Sequence, residues 1–456
     1  MKNPLVPLLL VLMALEIAHQ FTGSLWAGVP AYVAMALTVI VALPRLGLRE
    51  YYLLTLSGAM GGLLWALHDD PFDATIRALD QAVFLMAFLL CISLIQEAAQ
   101  TSQSVARLGG YLARQPGGRR FVGLYTGTMS MAVIFNIGTL SLLAPLITRA
   151  AAESPDDPLS PIRERRQLNA VIRGFSWSVV WSPTAIAPLA LFGLLPQADR
   201  AIWIGLGLGL AFVMLLLGWL EDRIVWRNHT AEAYGLPPVS AASLPVQALK
   251  RFLGVCIGLA VLTGVLMVLF GLGVPGALMG AAPLVMLGWL RVQDVDMSAQ
   301  LHHIANQGLP ATAPAAVTLA CAGLVGIAGA ALLPAQAIAD WMNLASIPAW
   351  IFLFGTTLAV TILSQFGLSP IMMAVFFGAV LAVLESLPAS HTLTALAVAA
   401  GLAVSSTFSP FAAGVVFLSR VTPHAGTTLT YRWNGLFTAL SLIVLTAAYY
   451  AITDAA

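Results

Sequence analysis

Charge is what this chain has least of. Only 9% of its 456 residues are Asp, Glu, Lys or Arg, against 59% hydrophobic residues, and a mean hydropathy of +0.89 excludes a soluble globular domain. Apolar runs of about 20 residues recur along the chain, long enough to cross the hydrocarbon layer as helices. The expected class is therefore an all-α integral membrane protein embedded in the lipid bilayer. Cysteine is scarce too. Cys91, Cys256 and Cys321 all fall in apolar spans with no Cys-x-x-Cys and no Cys/His cluster, so neither a disulfide framework nor a metal site is expected. The seven histidines sit in loops or near span ends, and no Ser-His-Asp, His-Glu-x-x-His or aspartyl pair falls at membrane depth. An enzyme, a resident cofactor and a nucleic-acid partner are not expected.

Ordinary spans are predicted near 4–21, 25–43, 50–67, 78–98, 201–220, 251–272, 276–292, 312–333 and 432–452. The first has the charge and apolar stretch of a secretory signal. No small-x-small cleavage site follows, so residues 1–24 are read as an extra, uncleaved span. Four further regions are interrupted. Residues 121–150 contain "FNIGT" (135–139), 168–196 contain "WSPTA" (181–185), 349–386 contain "SQFGLSP" (364–370), and 392–419 contain "SSTFSP" (405–410). Gly138 and Pro183 are 45 residues apart, and Gly367 and Pro410 are 43 apart. This matched spacing predicts two repeats, 25–220 and 251–456, joined by a polar linker at 221–250. A short amphipathic stretch precedes the first interruption of each, at 96–114 and at 334–346.

Charge distribution supplies an orientation. If 121–150 and 349–386 are re-entrant hairpins while 168–196 and 392–419 cross, then 19 of the 21 Lys and Arg, Lys2 included, fall on one side. Only Arg77 and Arg200 face the other. The positive-inside bias then predicts a cytoplasmic N-terminus, eleven crossings, an outward C-terminus and a bacterial-type inner membrane. The two hairpins open on opposite sides, so the repeats are expected to be inverted, as in secondary transporters with a site near the midplane.

A proline inside a helix removes an amide and displaces a carbonyl, and broken backbone at membrane depth survives only where it is buried in protein or lines a cavity. The interruptions therefore supply the candidate site: Asn136, Gly138 and Thr139; Ser182, Pro183 and Thr184; Ser364, Gln365, Gly367 and Ser369; Ser405, Ser406, Thr407, Ser409 and Pro410. Hydroxyls and freed carbonyls are hard oxygen ligands for a small alkali cation, with sodium expected at Asn136, Thr184, Ser364 and Thr407. The half-helices beyond the breaks would offer amides and positive dipole ends to an anion. None of the four motifs contains an ionisable residue. Arg173, Arg420 and His424 lie near the ends of the crossing broken helices and are read chiefly as topology-setting charge, while Trp177 and Trp181 flank the first break.

This pattern resembles the ion transporter superfamily, most closely its divalent anion/sodium symporter branch, over nearly the whole chain. That branch carries Ser-Asn-Thr at hairpin tips and helix breaks. Here Ser182-Pro183-Thr184 has proline in the middle, Asn136-Ile137-Gly138-Thr139 keeps Asn and Thr at another spacing, and Ser364, Ser369, Ser405, Ser406 and Thr407 match more loosely. Other branches fit the same architecture. The resemblance implies an elevator mechanism, with hairpins and broken helices sliding against a scaffold, the amphipathic stretches as arms, and a homodimer. A sodium-coupled symporter of a small organic anion is the leading expectation. A proton-coupled antiporter or exporter using Glu16 or Asp80, and an intramembrane enzyme acting on lipid or peptide, are the alternatives.

Overall fold

A backbone in hydrocarbon must satisfy its own hydrogen bonds, which favours helices wherever the chain is apolar. The computed structural model describes residues 4–153, 156–230, 232–235, 243–293 and 295–454, and among them it is helical without a strand. Lys2 and residues 231 and 236–242 of the expected linker lie outside the described residues. The elements run α1 Leu5–Thr22, α2 Leu25–Ala42, α3 Leu48–Leu67, α4 Pro71–Gln100, α5 Gln103–Ala113, α6 Gly117–Phe135, α7 Gly138–Ala152, α8 Ser160–Ser178, α9 Ile186–Leu194 and α10 Arg200–Val225. They continue as α11 Val246–Phe270, α12 Val274–Val292, α13 Met297–His303, α14 Leu309–Leu332, α15 Ala335–Trp341, α16 Ala349–Leu363, α17 Pro370–Ala382, α18 His391–Phe408, α19 Ala413–Val421 and α20 Trp433–Asp454.

Nine helices among the described residues are long and apolar enough to span, which makes this a multi-pass membrane protein. Eleven crossings would also require α3 and the α8–α9 pair, which are not among the nine. The sequence gives both a reason to fall short. Five Gly, Ser and Thr residues dilute the second half of α3, from Thr55 to Gly62, and five charged residues crowd α8.

Glycine sets how closely the broken helices sit on their neighbours. Gly174 of α8 faces the Tyr125 carbonyl of α6, where an added Cβ would lie 2.4 Å from the oxygen; Gly401 of α18 faces the Thr357 carbonyl of α16, where it would lie at 2.9 Å. The two halves thus repeat one contact. The second half-helices exchange partners: Gly378 on α17 abuts Leu191 and Leu194 of α9, and Gly414 on α19 abuts Leu140 of α7. Helices α4 and α14 cross in the middle with Gly323 against the Gln81 carbonyl.

Several boundaries differ from expectation. Helix α4 runs on to Gln100, so the first amphipathic stretch reduces to α5, whose buried Val105, Leu108 and Leu112 form its inner face. The second stretch forms only α15 and a 3₁₀ turn at Leu344–Ser346. Helix α10 absorbs 221–225 from the linker because Glu221 and Asp222 pair with Arg173 and Arg166 of α8. Residues 297–311, left outside the spans by polarity, are helical: Asp296 caps α13, and a π turn at Ile304–Gly308 carries it into α14. Gly308 permits this because Glu97 packs where its side chain would be.

Gly174→Ala and Gly401→Ala should each lower the thermal unfolding midpoint in detergent, by an overpacking cost of about 1–3 kcal/mol. Gly254→Ala in α11, which meets open space, should leave it unchanged or slightly raised. Equal midpoints for all three would show that these contacts do not set the packing.

Candidate functional site at the helix breaks

Helix α6 ends where Asn136 adopts φ +46° and ψ −124°, a positive-φ conformation outside the left-handed helical region and rare for a residue with a side chain, and the chain re-enters α7 at Gly138. The first break, 179–185, lies against this turn. The Thr184 hydroxyl donates to the Val133 carbonyl of α6, and Ser182 Oγ stands 3.0 Å from Thr184 Oγ1. Three hard oxygens are thereby gathered beside Pro183. On the other side, Trp203 Nε1 of α10 donates to the Val180 carbonyl at 2.7 Å, sealing a carbonyl beside the end of α8. Gly207 allows that approach, since a Cβ there would sit 2.8 Å from the same oxygen.

The second half uses the same device with other residues. Between α16 and α17 the chain turns through Gly367 at φ +83°. Ser409 Oγ, in the break after α18, donates to the Ser364 carbonyl at 2.6 Å. Ser405 Oγ donates to the Gly401 carbonyl at 2.7 Å and reaches the Val360 carbonyl of α16 at 3.4 Å. Ser364 and Thr407 donate to carbonyls of their own helices, Val360 and Val404. Gln365 accepts from the Tyr431 hydroxyl at 3.1 Å, and the Phe411 carbonyl accepts from Arg49 of α3 at 3.1 Å. Ser406 and Pro410 are half-buried, and Ser369 is buried at the start of α17.

Each break is thus clasped to the preceding helix pair of its own half. Among the described residues no direct side-chain bond joins Asn136 or Thr184 to Ser364 or Thr407. The halves are linked at the second break by Arg49 of α3 on the Phe411 carbonyl, and by packing, with Gly414 beside Leu140 and Phe175.

Buried hydroxyls without a partner occur in both halves, Thr394, Thr438 and Ser441 in the second among them, but those near a break lie in the first. In the second half Ser364, Ser405, Thr407 and Ser409 are committed as donors, keeping only acceptor capacity. In the first half, Thr139 Oγ1, Ser176 Oγ, Trp177 Nε1, Trp181 Nε1 and, on α6, Thr128 Oγ1 are buried without a partner. The first turns of α9 and α19 begin at Ala185 and Ala412 with no side-chain cap, leaving their amides open.

The charged candidates sort differently. Arg173 is wholly buried: its Nε donates to Asn434 Oδ1 at 2.7 Å, Glu221 pairs with it, and the Phe437 ring lies 4.1 Å away. It ties α8, α10 and α20 together rather than facing a break. His424 sits 3.3 Å from Glu164. Sequence reasoning missed Trp203, Tyr431 and Arg49 as partners of the breaks. In the sequence Arg49 reads only as one of the 19 basic residues of one side, and nothing local marks the two aromatic residues.

No protein-family model matches the chain, and no curated protein matches it. Solved structures do. The chain superposes on the YdaH transporter of Alcanivorax borkumensis, described as having an unusual topology, with TM-score 0.59 and 15% identity over 88% of this chain and 97% of that one. It also superposes on MtrF of Neisseria gonorrhoeae, described as illuminating a class of antimetabolite efflux pumps, with TM-score 0.56 and 13% identity over 84% of each chain. The chain has the fold of these membrane transporters. Neither comparison extends to the divalent anion/sodium symporter branch that the motifs resemble.

Ser409→Ala should expose the buried Ser364 carbonyl and lower stability by about 1–3 kcal/mol. Ser419→Ala, which loses only a bond within its own helix, should cost far less. Thermal unfolding of both variants checks this, and equal losses would remove the clasp.

Proposed function

We propose that this protein is a secondary active transporter, not an enzyme, and that it moves a small organic anion across a bacterial-type inner membrane in symport with sodium. The observation that carries the proposal is the pair of clasped breaks, with open helix starts in both halves and unpartnered buried polar atoms around the first. Broken backbone at this depth is the usual means of building a transporter site. Sodium would be held by hydroxyl and carbonyl oxygens around Asn136 and Thr184 in one half and Ser364 and Thr407 in the other. The anion would meet the uncapped amides of α9 and α19. An elevator motion of a homodimer, on inverted repeats with a cytoplasmic N-terminus and eleven crossings, is the mechanism we assign. The shared fold with a named transporter and a named efflux pump supports transport in general.

A second reading, proton-coupled export, is favoured by one specific feature. A cavity of about 1100 Å³ is lined by Glu16 and Asp80, opposite α9 and α17. Gln20 donates to Glu16 at 2.9 Å and Tyr32 donates to Asp80, while neither carboxylate has a cationic partner within ion-pair distance among the described residues. MtrF, as an efflux pump, is consistent with export.

In proteoliposomes, uptake of a panel of small carboxylates should require an inward sodium gradient. Asn136→Ala, Thr184→Ala, Ser364→Ala and Thr407→Ala should each weaken apparent sodium or substrate affinity severalfold while the protein still inserts. Uptake that ignores sodium, follows a pH gradient and is lost in Glu16→Gln or Asp80→Asn would replace symport by the second reading.

A further inference from the structure

A separate cavity of about 430 Å³ lies where the start of α6, the start of α8 and the end of α10 meet. Five arginines converge on it: Arg120, Arg163, Arg166, Arg223 and Arg227. Two carboxylates answer them. Asp222 takes Arg166 in a two-pronged pair at 2.9 and 2.7 Å, and Asp157 takes Arg163. Arg120 donates through Nε to the Gln115 carbonyl at 2.8 Å, Arg223 lies 4.8 Å over the Trp219 ring, and Arg227 has no ion pair among the described residues. The crowding is felt by Arg120, which lies just ahead of the apolar run 121–150. Its guanidinium is pushed down to about 10 by burial first and then by Arg163 and Arg166, with Asp222 opposing. It stays protonated at neutral pH, so the pocket keeps a surplus of three positive charges that a bound anion would neutralise.

The surroundings indicate what kind of anion. Trp219 and Trp226 line the cavity, and tryptophan favours the level of the lipid headgroups. Beside them Leu216, Leu220 and Ile224 are exposed at one-turn intervals along α10, an apolar stripe leading away from the arginines. Guanidinium groups are forked donors matched to phosphate oxygens. Basic pockets between membrane helices at the cytoplasmic side are suited to anionic headgroups.

We propose that this cavity binds a phosphate-bearing anion, seated as the headgroup of an anionic phospholipid whose acyl chains lie along the exposed face of α10. The site joins the segment leading into the first helix pair, through Pro116, to the helix that carries the first break. Its occupancy would therefore steady α6, α8 and α10 together. The inference holds whichever solute the protein carries.

The test uses full-length protein, delipidated in detergent, with phosphatidylglycerol, phosphatidylcholine and inorganic phosphate as separate probes. Phosphatidylglycerol should raise the unfolding midpoint by several degrees and remain bound in native mass spectrometry, whereas phosphatidylcholine should do neither. The double variant Arg223→Gln, Arg227→Gln should weaken that binding on the order of tenfold or more, and Arg223→Lys, Arg227→Lys should retain part of it. If the first variant does not fold, Arg227→Gln alone carries the comparison. A shift produced equally by inorganic phosphate and lost in the Gln variant would keep the phosphate site and make its source a soluble one. Equal stabilisation by both lipids, or a response to phosphatidylglycerol and phosphate unchanged in the Gln variants, would overturn the proposal.

Discussion

A carbonyl or amide freed inside a membrane must find a partner from its own protein, because hydrocarbon offers none and each unmet group costs several kcal/mol. That requirement organises this molecule. Where α8 stops, Thr184 reaches Val133 and Trp203 reaches Val180. Where α18 stops, Ser409 reaches Ser364 and Arg49 reaches Phe411. Such bonds need neighbouring backbones close together, and Gly174, Gly207 and Gly401 occupy the places where a side chain would keep them apart. The small-residue contacts and the polar clasps are two halves of one solution.

Next to the two breaks the solution is carried to different lengths. Around the second break Ser405, Thr407 and Ser409 are committed to carbonyls. Around the first, Thr139, Trp177 and Trp181 keep buried polar atoms without protein partners. Buried polar groups are normally satisfied, and this concentration of exceptions beside a broken helix is the ground on which a ligand site is proposed there.

Much of this was legible in the sequence because it depended on local chemistry. Apolar runs forecast the helices, and Pro, Gly, Ser and Asn inside them forecast where the helices stop. Thus 135–139, 181–185, 364–370 and 405–410 all coincide with helix ends. What was not legible depended on partners distant in the chain. Nothing near Trp203 or Tyr431 announces a carbonyl or amide waiting across the bundle, and Arg49 resembles any other charge at a span end. Residues 297–311 were too polar to read as part of a membrane helix, although Glu97 packing on Gly308 draws them into one. Ser-Pro-Thr at 182–184 resembles a known signature with its central residue changed, and the shared fold at 15% identity does not restore the missing specificity.

The central claim is that the helix breaks hold the coupling ion. Ser406, half-buried beside the second break, offers the most direct access to it. In a variant with Cys91, Cys256 and Cys321 replaced and Ser406→Cys introduced, the rate of thiol modification should fall when sodium replaces potassium at equal ionic strength. A modification rate identical in the two cations, in protein that still transports, would contradict the account.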